Sequence, residues 1–357
     1  MTEFNSMSMS SGNTYNENCS HQTDILVGAL PLLDDIELGS QVAIADYGCS
    51  QGNNSLTMMQ HVLKRMAPSS IASLIFEDLP SNEFSSLIKL LPGVTAANPD
   101  LKIYPSLVPR SFYEPITTPG TVDIGFSSCT VHWLKRMTMP KPPNETVIEY
   151  YDKRGSRDSP AAREDFREFL TLRGEEIKSG GYLVMGILGS FTKEELSTGY
   201  QDSTSLRMRA IFRAAEVLAN EGKIPLKAME KINIPFYCRS EEEFRSGVEE
   251  LKGTWVVETC ERRMTVHPYY FNFLRFCENA DQNEKIAASK ELERSLVLWL
   301  LAVLGDMVKN SWLEAGLEAD RVEGLYQELI SIAADILWKE GVRRTEIPII
   351  YSRLRRV

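Results

Sequence analysis

Short apolar runs alternate with amphipathic segments along the first half of the chain. Near-continuous apolar runs, typical of strands buried on both faces, cover residues 41–49, 72–79, 122–129 and 181–189. Apolar residues at helical spacing predict helices between them, over residues 54–65, 82–91 and 160–178. The last of these helices is expected to begin at Ser159 and Pro160 and to stop at Gly180 and Gly181. This alternation favours an α/β fold with a doubly wound parallel sheet.

The second half of the chain carries mostly helical patterns. They cover residues 192–230, an acidic segment from Ser240, and two long stretches at 284–314 and 318–340, while 254–260 and 269–276 are strand candidates. We expect an α/β core formed by residues 1–190 and completed by 252–283 and 341–357. Residues 191–251 and 284–340 are then expected to form an interleaved helical cap over the carboxyl edge of the sheet.

Composition narrows the class of protein. The 357 residues are 43% hydrophobic and 25% charged, as in an ordinary globular chain. A formal net charge of −10 argues against a nucleic-acid-binding surface. The longest apolar run, Leu296 to Leu304, is too short to span a bilayer and predicts a buried helix. Six cysteines without a C-x-x-C pair or zinc spacing, in a chain without a visible secretory signal, predict reduced thiols in the cytoplasm and no metal framework.

The first candidate site follows the first predicted strand. Residues 46–54 run from Asp46 through Gly48 and Gly52 to Asn54, which is expected to lie at the start of the next helix. Glycines at this point let the backbone turn and approach a ligand closely. The spacing is neither G-x-G-x-x-G nor a P-loop. The pattern therefore predicts either a ligand-binding turn or a strand-to-helix turn without a ligand.

Two further segments end buried strands. Asp78 closes the second strand, where a carboxylate is placed to accept hydrogen bonds from a ribose diol, and Leu79 beside it is expected to flank an adenine ring. His132 and Trp133 follow the run 122–129, and each carries an N–H donor that needs a partner when buried. No G-x-S-x-G elbow accompanies them, so a triad hydrolase is disfavoured. The turn at 46–54 and the Asp78 segment together indicate a nucleoside ligand, whereas His132 and Trp133 indicate either a functional pair or a packed Trp beside a hydrogen-bonded structural His.

These segments together resemble the SABATH family of S-adenosylmethionine-dependent methyltransferases, the salicylic acid carboxyl methyltransferase-like group. Motifs of that family are similar to residues 14–22, 46–55, 77–85, 109–113 and 127–134, with further matches in order as far as residue 237. The resemblance implies a Rossmann-like class I methyltransferase sheet with an α-helical cap and a homodimer. The chain departs from the family pattern at Cys19, Tyr47, Glu77 and Arg110.

The resemblance also implies roles for individual residues. Cofactor contacts are expected from Tyr15, Asp46, Gly48, Cys49, Asn54, Asp78, Leu79, Ser111, Phe112 and Ser128. The methyl acceptor is expected to face Gln22, Cys129, His132 and Trp133, of which Gln22, His132 and Trp133 are the catalytic candidates. A magnesium ion near Glu230 and Asn233 occurs in some family members, but the loop after Pro140 departs from their pattern, so no metal is expected.

The implied reaction needs positioning more than acid–base chemistry. A carboxylic acid with a pKa of about 4 is already ionised at neutral pH, so methyl transfer from a sulfonium requires no strong base. The leading prediction is therefore a methyl ester-forming enzyme acting on a small-molecule acid, without a nucleic-acid or membrane partner. N-methylation of a heterocycle or methylation of a phenol, with His132 relaying the proton, stays open, as does a non-catalytic cofactor-binding paralogue. Because the net charge is negative, attraction of an anionic acceptor is expected to come from local groups such as His132 or cap arginines.

Overall fold

Seven strands form one mixed sheet in the computed structural model, which describes residues 20–135, 147–197, 203–228 and 235–357. The strands are β1 (Gln41–Tyr47), β2 (Ile71–Asp78), β3 (Lys102–Pro109), β4 (Val122–Ser128), β5 (Ile177–Leu188), β6 (Trp255–Val266) and β7 (Glu346–Arg356). Their order is β3-β2-β1-β4-β5-β7-β6, in which β1 to β5 are parallel and β7 runs antiparallel to both of its neighbours. The predicted doubly wound α/β sheet is confirmed.

Helices cover both faces and one edge of the sheet. They are α1 (Ser20–Ala29), α2 (Asn53–Leu63), α3 (Phe84–Ala97), α4 (Val147–Glu176), α5 (Lys193–Ser197), α6 (Ser203–Asn220), α7 (Glu241–Glu249), α8 (Pro268–Cys277), α9 (Gln282–Glu314) and α10 (Ala319–Glu340). A short 3₁₀ helix, Leu30–Leu33, follows α1.

The position of β1 creates the crevice. The strand order reverses between β2 and β4, which lie on opposite sides of β1, and ligands of open α/β sheets bind at such a switch point outside the carboxyl ends. Helix α1 packs across this edge against β4, β5 and β7. The hydroxyl of Thr23 in α1 donates to the Asn54 side-chain oxygen at 2.9 Å, so α1 is tied to the first turn of α2. The crevice is thereby closed on one side by a helix.

Helices α6, α9 and α10, which belong to the predicted cap, pack against one another. Their contact residues, among them Phe212, Trp312 and Leu329, are buried and join one hydrophobic core with the residues beneath α1. The predicted division into core and cap stays a prediction, and one segment differs from it. Helix α7, placed in the cap by the predicted boundary at 251, packs against α4 and β6, with Phe244 against Phe166.

Three local predictions were wrong. Residues 269–276 form helix α8 instead of a strand, because Pro268 occupies its first turn and the His267 ring nitrogen caps the Tyr269 N–H at 3.2 Å. Strand β3 was not predicted, because its prolines interrupt the apolar run that would mark a strand. It lies at the edge of the sheet, where proline is tolerated.

The third wrong prediction concerns the helix before β5. Pro160 lies inside α4, which begins at Val147, and the helix ends at Glu176. The glycine pair expected to stop it lies within β5, at an irregularity in the pairing with β4. Gly180 has a φ of +80° there, and a Cβ at Gly181 would lie 2.8 Å from the Asp123 carbonyl oxygen. The pair therefore makes a bulge in a strand.

The long apolar helix is buried as expected. Helix α9 is the one described helix with the length and composition to cross a membrane, and 61% of its apolar window is buried inside the protein, as in a core helix. The five cysteines within the described residues are free thiols. No cluster of three or more metal-ligating side chains occurs in the described part of the chain. Glu230 and Asn233 lie outside that part.

Candidate active site

A tight turn connects β1 to α2 at the switch point. Gly48 and Gly52 have φ values of +92° and +93°, which glycine adopts without strain. The backbone N–H groups of Gly48 and Cys49 both donate to the Glu77 carbonyl oxygen, at 3.0 and 2.8 Å. The turn is thus fastened to the end of β2.

The glycines of this turn serve packing within the protein. A Cβ at Gly48 would lie 2.3 Å from Thr130 Cγ2, and one at Gly52 would lie 2.4 Å from Leu87 Cδ1. Their missing side chains make room for neighbouring residues of the chain. Both glycines also line the cavity beside this turn, so the expectation that they give a ligand close access to the backbone stays a prediction.

Asp78 organises the loops around the turn. Its carboxylate accepts the Ser50 N–H at 2.6 Å and the Leu79 N–H at 2.8 Å, while the Asn82 amide donates to the Ser50 carbonyl at 2.8 Å. Each carboxylate oxygen retains a lone pair, so the group can still accept hydrogen bonds from a diol. Ser50, held by these contacts, has a φ of +48°, a conformation that a non-glycine residue rarely adopts.

A cavity lined mostly by polar residues, called the polar cavity below, opens between this turn, α1 and β4. Five of the residues predicted to contact the cofactor line it, and Gln22 lines it as well. Those five are Asp46, Gly48, Cys49, Asn54 and Ser128. The Ser128 hydroxyl is buried without a hydrogen-bond partner among the described residues. The cavity therefore offers an acidic group and an unused hydroxyl to a ligand.

Three acidic side chains meet beside this cavity. Burial raises the pKa of Asp46 to about 7 and that of Asp78 to about 6. Burial, followed by the Asp78 charge, also raises the pKa of Glu77 well above its ordinary value. Carboxylates with raised pKa values lack a sufficient positive partner. A cationic ligand in the cavity would supply one.

The remaining predicted cofactor residues lie farther from the cavity lining. Asp78 does not line the cavity but accepts a hydrogen bond from the N–H of Ser50, which does. Leu79 and Ser111 belong to the adjoining loops and do not line it. Phe112 packs in the core, 5.9 Å from the Phe169 ring, and its carbonyl accepts the Arg173 guanidinium at 2.8 Å. Tyr15 lies outside the described residues. The structure thus brings together part of the predicted cofactor set.

A second, mostly apolar cavity lies between α1 and the helices α6 and α9. All four residues predicted to face the methyl acceptor line it, namely Gln22, Cys129, His132 and Trp133. Cys129 has a φ of +54°, which directs the chain sharply away from the end of β4. Its backbone N–H donates to the Gly186 carbonyl at 2.8 Å. Gln22 lines both cavities and so marks where they meet.

His132 is buried in an aromatic corner. Its ring lies 5.0 Å from the Trp133 ring and 4.9 Å from the Phe236 ring, and its Nδ1 atom has no hydrogen-bond partner within the described residues. Burial, with the nearby Arg239 charge, lowers the pKa of His132 to about 3. The imidazole is neutral at pH 7. The expectation that His132 supplies a positive charge for an anionic acceptor is therefore wrong, although it can still form a hydrogen bond.

Several residues of the second cavity were missed by sequence reasoning. They are His21, Ile25, Leu188, Thr204, Met208, Phe236, Trp299, Leu300, Val303 and Leu304. Most are apolar and lie on α1, α6 and α9, where helical spacing marks a buried face without showing what it is buried against. His21 and Trp299 were detectable as polar-tipped aromatic residues within apolar faces, but only the packing of α9 against α1 brings them together.

Trp299 orients the residue shared by the two cavities. Its indole N–H donates to the Gln22 side-chain oxygen at 3.3 Å. Because that oxygen is engaged, the amide NH₂ of Gln22 is left as the donor that can face a ligand. A neutral donor thus stands between the acidic cavity and the apolar one.

The sequence matches the family described as "SAM dependent carboxyl methyltransferase" over residues 4–348. The chain belongs to this family. It is an enzyme that uses S-adenosylmethionine as cofactor to methylate carboxyl groups, and it carries the SABATH motifs. The open N-methylation, phenol methylation and non-catalytic alternatives are not favoured by this membership.

Two sequence relatives and one solved structure are similar to this carboxyl methyltransferase over most of their length. It is 25% identical to "Methyltransferase FUS9" of Gibberella fujikuroi, covering 99% of this chain and 98% of the relative. It is 31% identical to "O-methyltransferase acrG" of Aspergillus aculeatus, covering 84% of this chain and 83% of the relative. A solved structure, "Loganic acid methyltransferase with SAH", matches with a TM-score of 0.70 over 98% of each chain at 21% identity. The predicted class I methyltransferase fold is confirmed by this match.

Proposed function

We propose that this carboxyl methyltransferase methylates a small acid with a largely apolar body, which binds under the cap with its carboxylate at Gln22. The observation that carries the proposal is the position of Gln22, which lines both the polar cavity beside β1 and the apolar cavity under α9. A carboxylate at this residue lies where a methyl donor in the first cavity meets an acceptor in the second. Positioning of two reactants supplies about 7 to 11 kcal/mol of a barrier when their geometry is right.

The first cavity fits the cofactor by its charge. S-adenosylmethionine carries an activated methyl group on a cationic sulfonium together with an ammonium group. Asp46 at the cavity wall and Asp78 behind it are buried acids with raised pKa values, which a cationic ligand would stabilise in their ionised form. We assign Asp78 to the ribose diol, and Ser128, whose hydroxyl is unpartnered among the described residues, to a hydrogen bond with the cofactor.

The second cavity fits the acceptor by its neutral donors. Gln22 presents its amide NH₂, and the Trp133 indole and the neutral His132 ring complete a set of uncharged groups. Such donors orient a carboxylate without binding it so tightly that its nucleophilicity is lost. No residue is required to remove a proton. Acceptors that must lose a proton to a base before methylation are disfavoured, since a His132 with a pKa of about 3 is a weak proton acceptor.

We also propose a homodimeric, cytoplasmic enzyme of secondary metabolism without nucleic-acid or membrane partners. Support comes from the family resemblance and the net charge of −10.

Two assays test the proposed function. Saturating S-adenosylmethionine is expected to raise the melting temperature, and a panel of aromatic, aliphatic and terpenoid acids with a labelled methyl donor is expected to yield methyl esters. Asp78→Ala is expected to weaken cofactor binding by releasing both the diol contact and the Ser50 loop, whereas Trp133→Ala spares cofactor affinity and lowers turnover. No stabilisation by the cofactor, or no ester from any acid, would refute the proposal; equal loss of cofactor affinity in both variants would refute the division of roles.

A further inference from the structure

His21 forms part of the wall of the acceptor cavity. It lies on α1, one residue before Gln22, and only 1% of it is exposed. Gln22 lines both cavities, whereas His21 lines the acceptor cavity alone. His21 is therefore placed to meet a part of the acceptor other than the carboxylate.

Neither ring nitrogen of His21 has a hydrogen-bond partner among the residues that the structure describes. A buried polar atom left unpaired costs about 1–3 kcal/mol, so a folded protein normally satisfies it. Burial also lowers the pKa of His21 to about 4, which keeps the ring neutral at pH 7. A neutral imidazole carries one N–H donor and one bare nitrogen acceptor.

The neighbours of His21 hold its ring without using its nitrogens. The His267 ring stacks on it at 4.8 Å and 19°, and Trp299 meets it at 5.8 Å and 84°. Stacking contacts use the ring faces and leave the ring edge open. Trp299 already gives its indole N–H to Gln22, and His267 Nδ1 accepts the Tyr269 N–H. The ring of His21 is thus fixed in place, and its two nitrogens are available to form hydrogen bonds with a ligand.

The rest of the cavity lining indicates the charge of the substrate group that would form a hydrogen bond with His21. None of the described lining residues is Asp, Glu, Lys or Arg. A second charged group on the acceptor would be desolvated there without an opposite charge, at a cost of several kcal/mol. A neutral hydroxyl or carbonyl oxygen, by contrast, can form its hydrogen bond with an imidazole nitrogen.

We propose that His21 recognises a neutral oxygen-bearing group, a hydroxyl or a carbonyl, at a position of the acid substrate remote from its carboxylate. His21 is then a specificity-determining residue, and His267 is a positioning residue that keeps its ring oriented. The inference rests on the proposed function and deepens it, because it narrows the acceptors from apolar acids to oxygenated apolar acids. A site built to bind a hydroxyl discriminates strongly against the analogue that lacks it, since its polar groups are then left unpaired.

The test compares acids that differ by one oxygen. Hydroxy- and oxo-substituted aliphatic and aromatic acids are assayed beside their unsubstituted parents, and kcat/KM is measured for each pair. For the best pair, the protein is expected to favour the oxygenated acid by roughly 10- to 100-fold. His21→Phe retains the ring stack without nitrogens. It is expected to lower kcat/KM for the oxygenated acid and raise it for the parent, which brings the ratio close to one.

Matched variants separate recognition from folding. His61→Phe changes a histidine on α2 that contacts Asp34 at 2.6 Å and lines neither cavity, so the ratio should keep its wild-type value. His21→Gln retains a donor and an acceptor and should keep most of the preference. Binding of each acid in the presence of S-adenosylhomocysteine, measured by calorimetry, should show the same ratios, and it reports on recognition independently of turnover.

The outcomes distinguish this inference from the proposed function. If esters form but His21→Phe changes kcat/KM by the same factor for both acids of every pair, the inference fails and the proposed function stands. The inference also fails, and the proposed function stands, if the wild-type protein prefers the unsubstituted parent acid in every pair. If no acid is methylated at all, the proposed function fails and the inference falls with it.

Discussion

At the scale of single residues, the buried acids beside β1 stand out. Asp46 is 5% exposed, lies in the wall of the polar cavity, and has a pKa of about 7 because burial disfavours its charge. The Ser55 hydrogen bond opposes this effect, and the neighbouring Asp78 charge adds to it. The Asp46 side chain is therefore expected to titrate near neutral pH.

This titration predicts a pH-dependent cofactor affinity. Below its pKa Asp46 holds a proton, which it must release to face a cationic cofactor, so the complex binds fewer protons than the free protein. Affinity for S-adenosylmethionine is therefore expected to rise from about pH 5.5 to about pH 7, by at most about tenfold per unit from Asp46 and by up to about a further tenfold per unit below about pH 6 from Asp78. Calorimetry across this range would measure it.

Two variants check the assignment of that pH dependence. Asp46→Asn should flatten the upper part of the slope and leave the part below about pH 6 that Asp78 contributes. Asp123→Asn should retain the full slope, because Asp123 lies near the start of β4, at the opposite edge of the sheet, paired with Lys178 at 2.8 Å. A cofactor affinity that stays constant over the range would contradict the prediction.

At the scale of elements, the turn between β1 and α2 combines a left-handed backbone conformation with close packing. Gly52 is the N-cap of α2 in a left-handed conformation, and its Cα lies against Leu87 of α3. A side chain there would be strained by its backbone and crowded by α3. The helix that forms one wall of the polar cavity is therefore positioned by the absence of a side chain.

Replacing Gly52 is expected to be costly in stability. Gly52→Ala should lower the free energy of unfolding by about 2–4 kcal/mol, from the φ of +93° and from the contact with Leu87. Gly120→Ala is the control, since Gly120 has a φ of +63° but nothing within 4 Å of a built Cβ, and it should lose only about 1 kcal/mol. Urea unfolding of both variants measures the difference. Equal losses would show that packing against α3 is unimportant.

At the scale of the whole molecule, a buried ion pair joins the cap to the sheet. Arg207 of α6 lies 3.4 Å from Glu293 of α9, and both side chains are almost fully buried. The same guanidinium donates to the Thr345 hydroxyl at 3.0 Å, just before β7 begins. Two cap helices and one strand of the sheet are therefore linked at one charged group.

Removing one partner of this pair should destabilise the molecule strongly. Glu293→Ala leaves the Arg207 charge buried without its carboxylate, which is expected to cost about 3–5 kcal/mol of unfolding free energy. Glu340→Ala is the matched control, because it breaks the exposed pair between Arg213 of α6 and Glu340 of α10, with an expected cost below about 1 kcal/mol. Chemical denaturation compares the two. A Glu293→Ala loss no larger than that of the control would contradict the role assigned to the buried pair.

Much of the site was predictable from short segments. Asp46, Cys49 and Ser128 line the polar cavity because strand ends that are local in sequence project to one edge of a parallel sheet. His132 and Trp133 were predicted in the same way. Phe112 does not line this cavity, and its ring packs into the core with Phe169 of α4, so its predicted cofactor contact stays a prediction.

The sequence by itself determined four of the five parallel strands, the buried helix α9, the family and four residues that line the cavity around Gln22. These depend on local periodicity and on motifs whose residues are adjacent in the chain. Only the tertiary structure decided that α8 is a helix, that the glycines of the β1 turn make room for Thr130 and Leu87, and that His132 is neutral. It also brought His21 against His267 and Trp299, which lie more than two hundred residues away in sequence. Burial, packing and pKa values arise from neighbours distant in the chain, and no local pattern contains them.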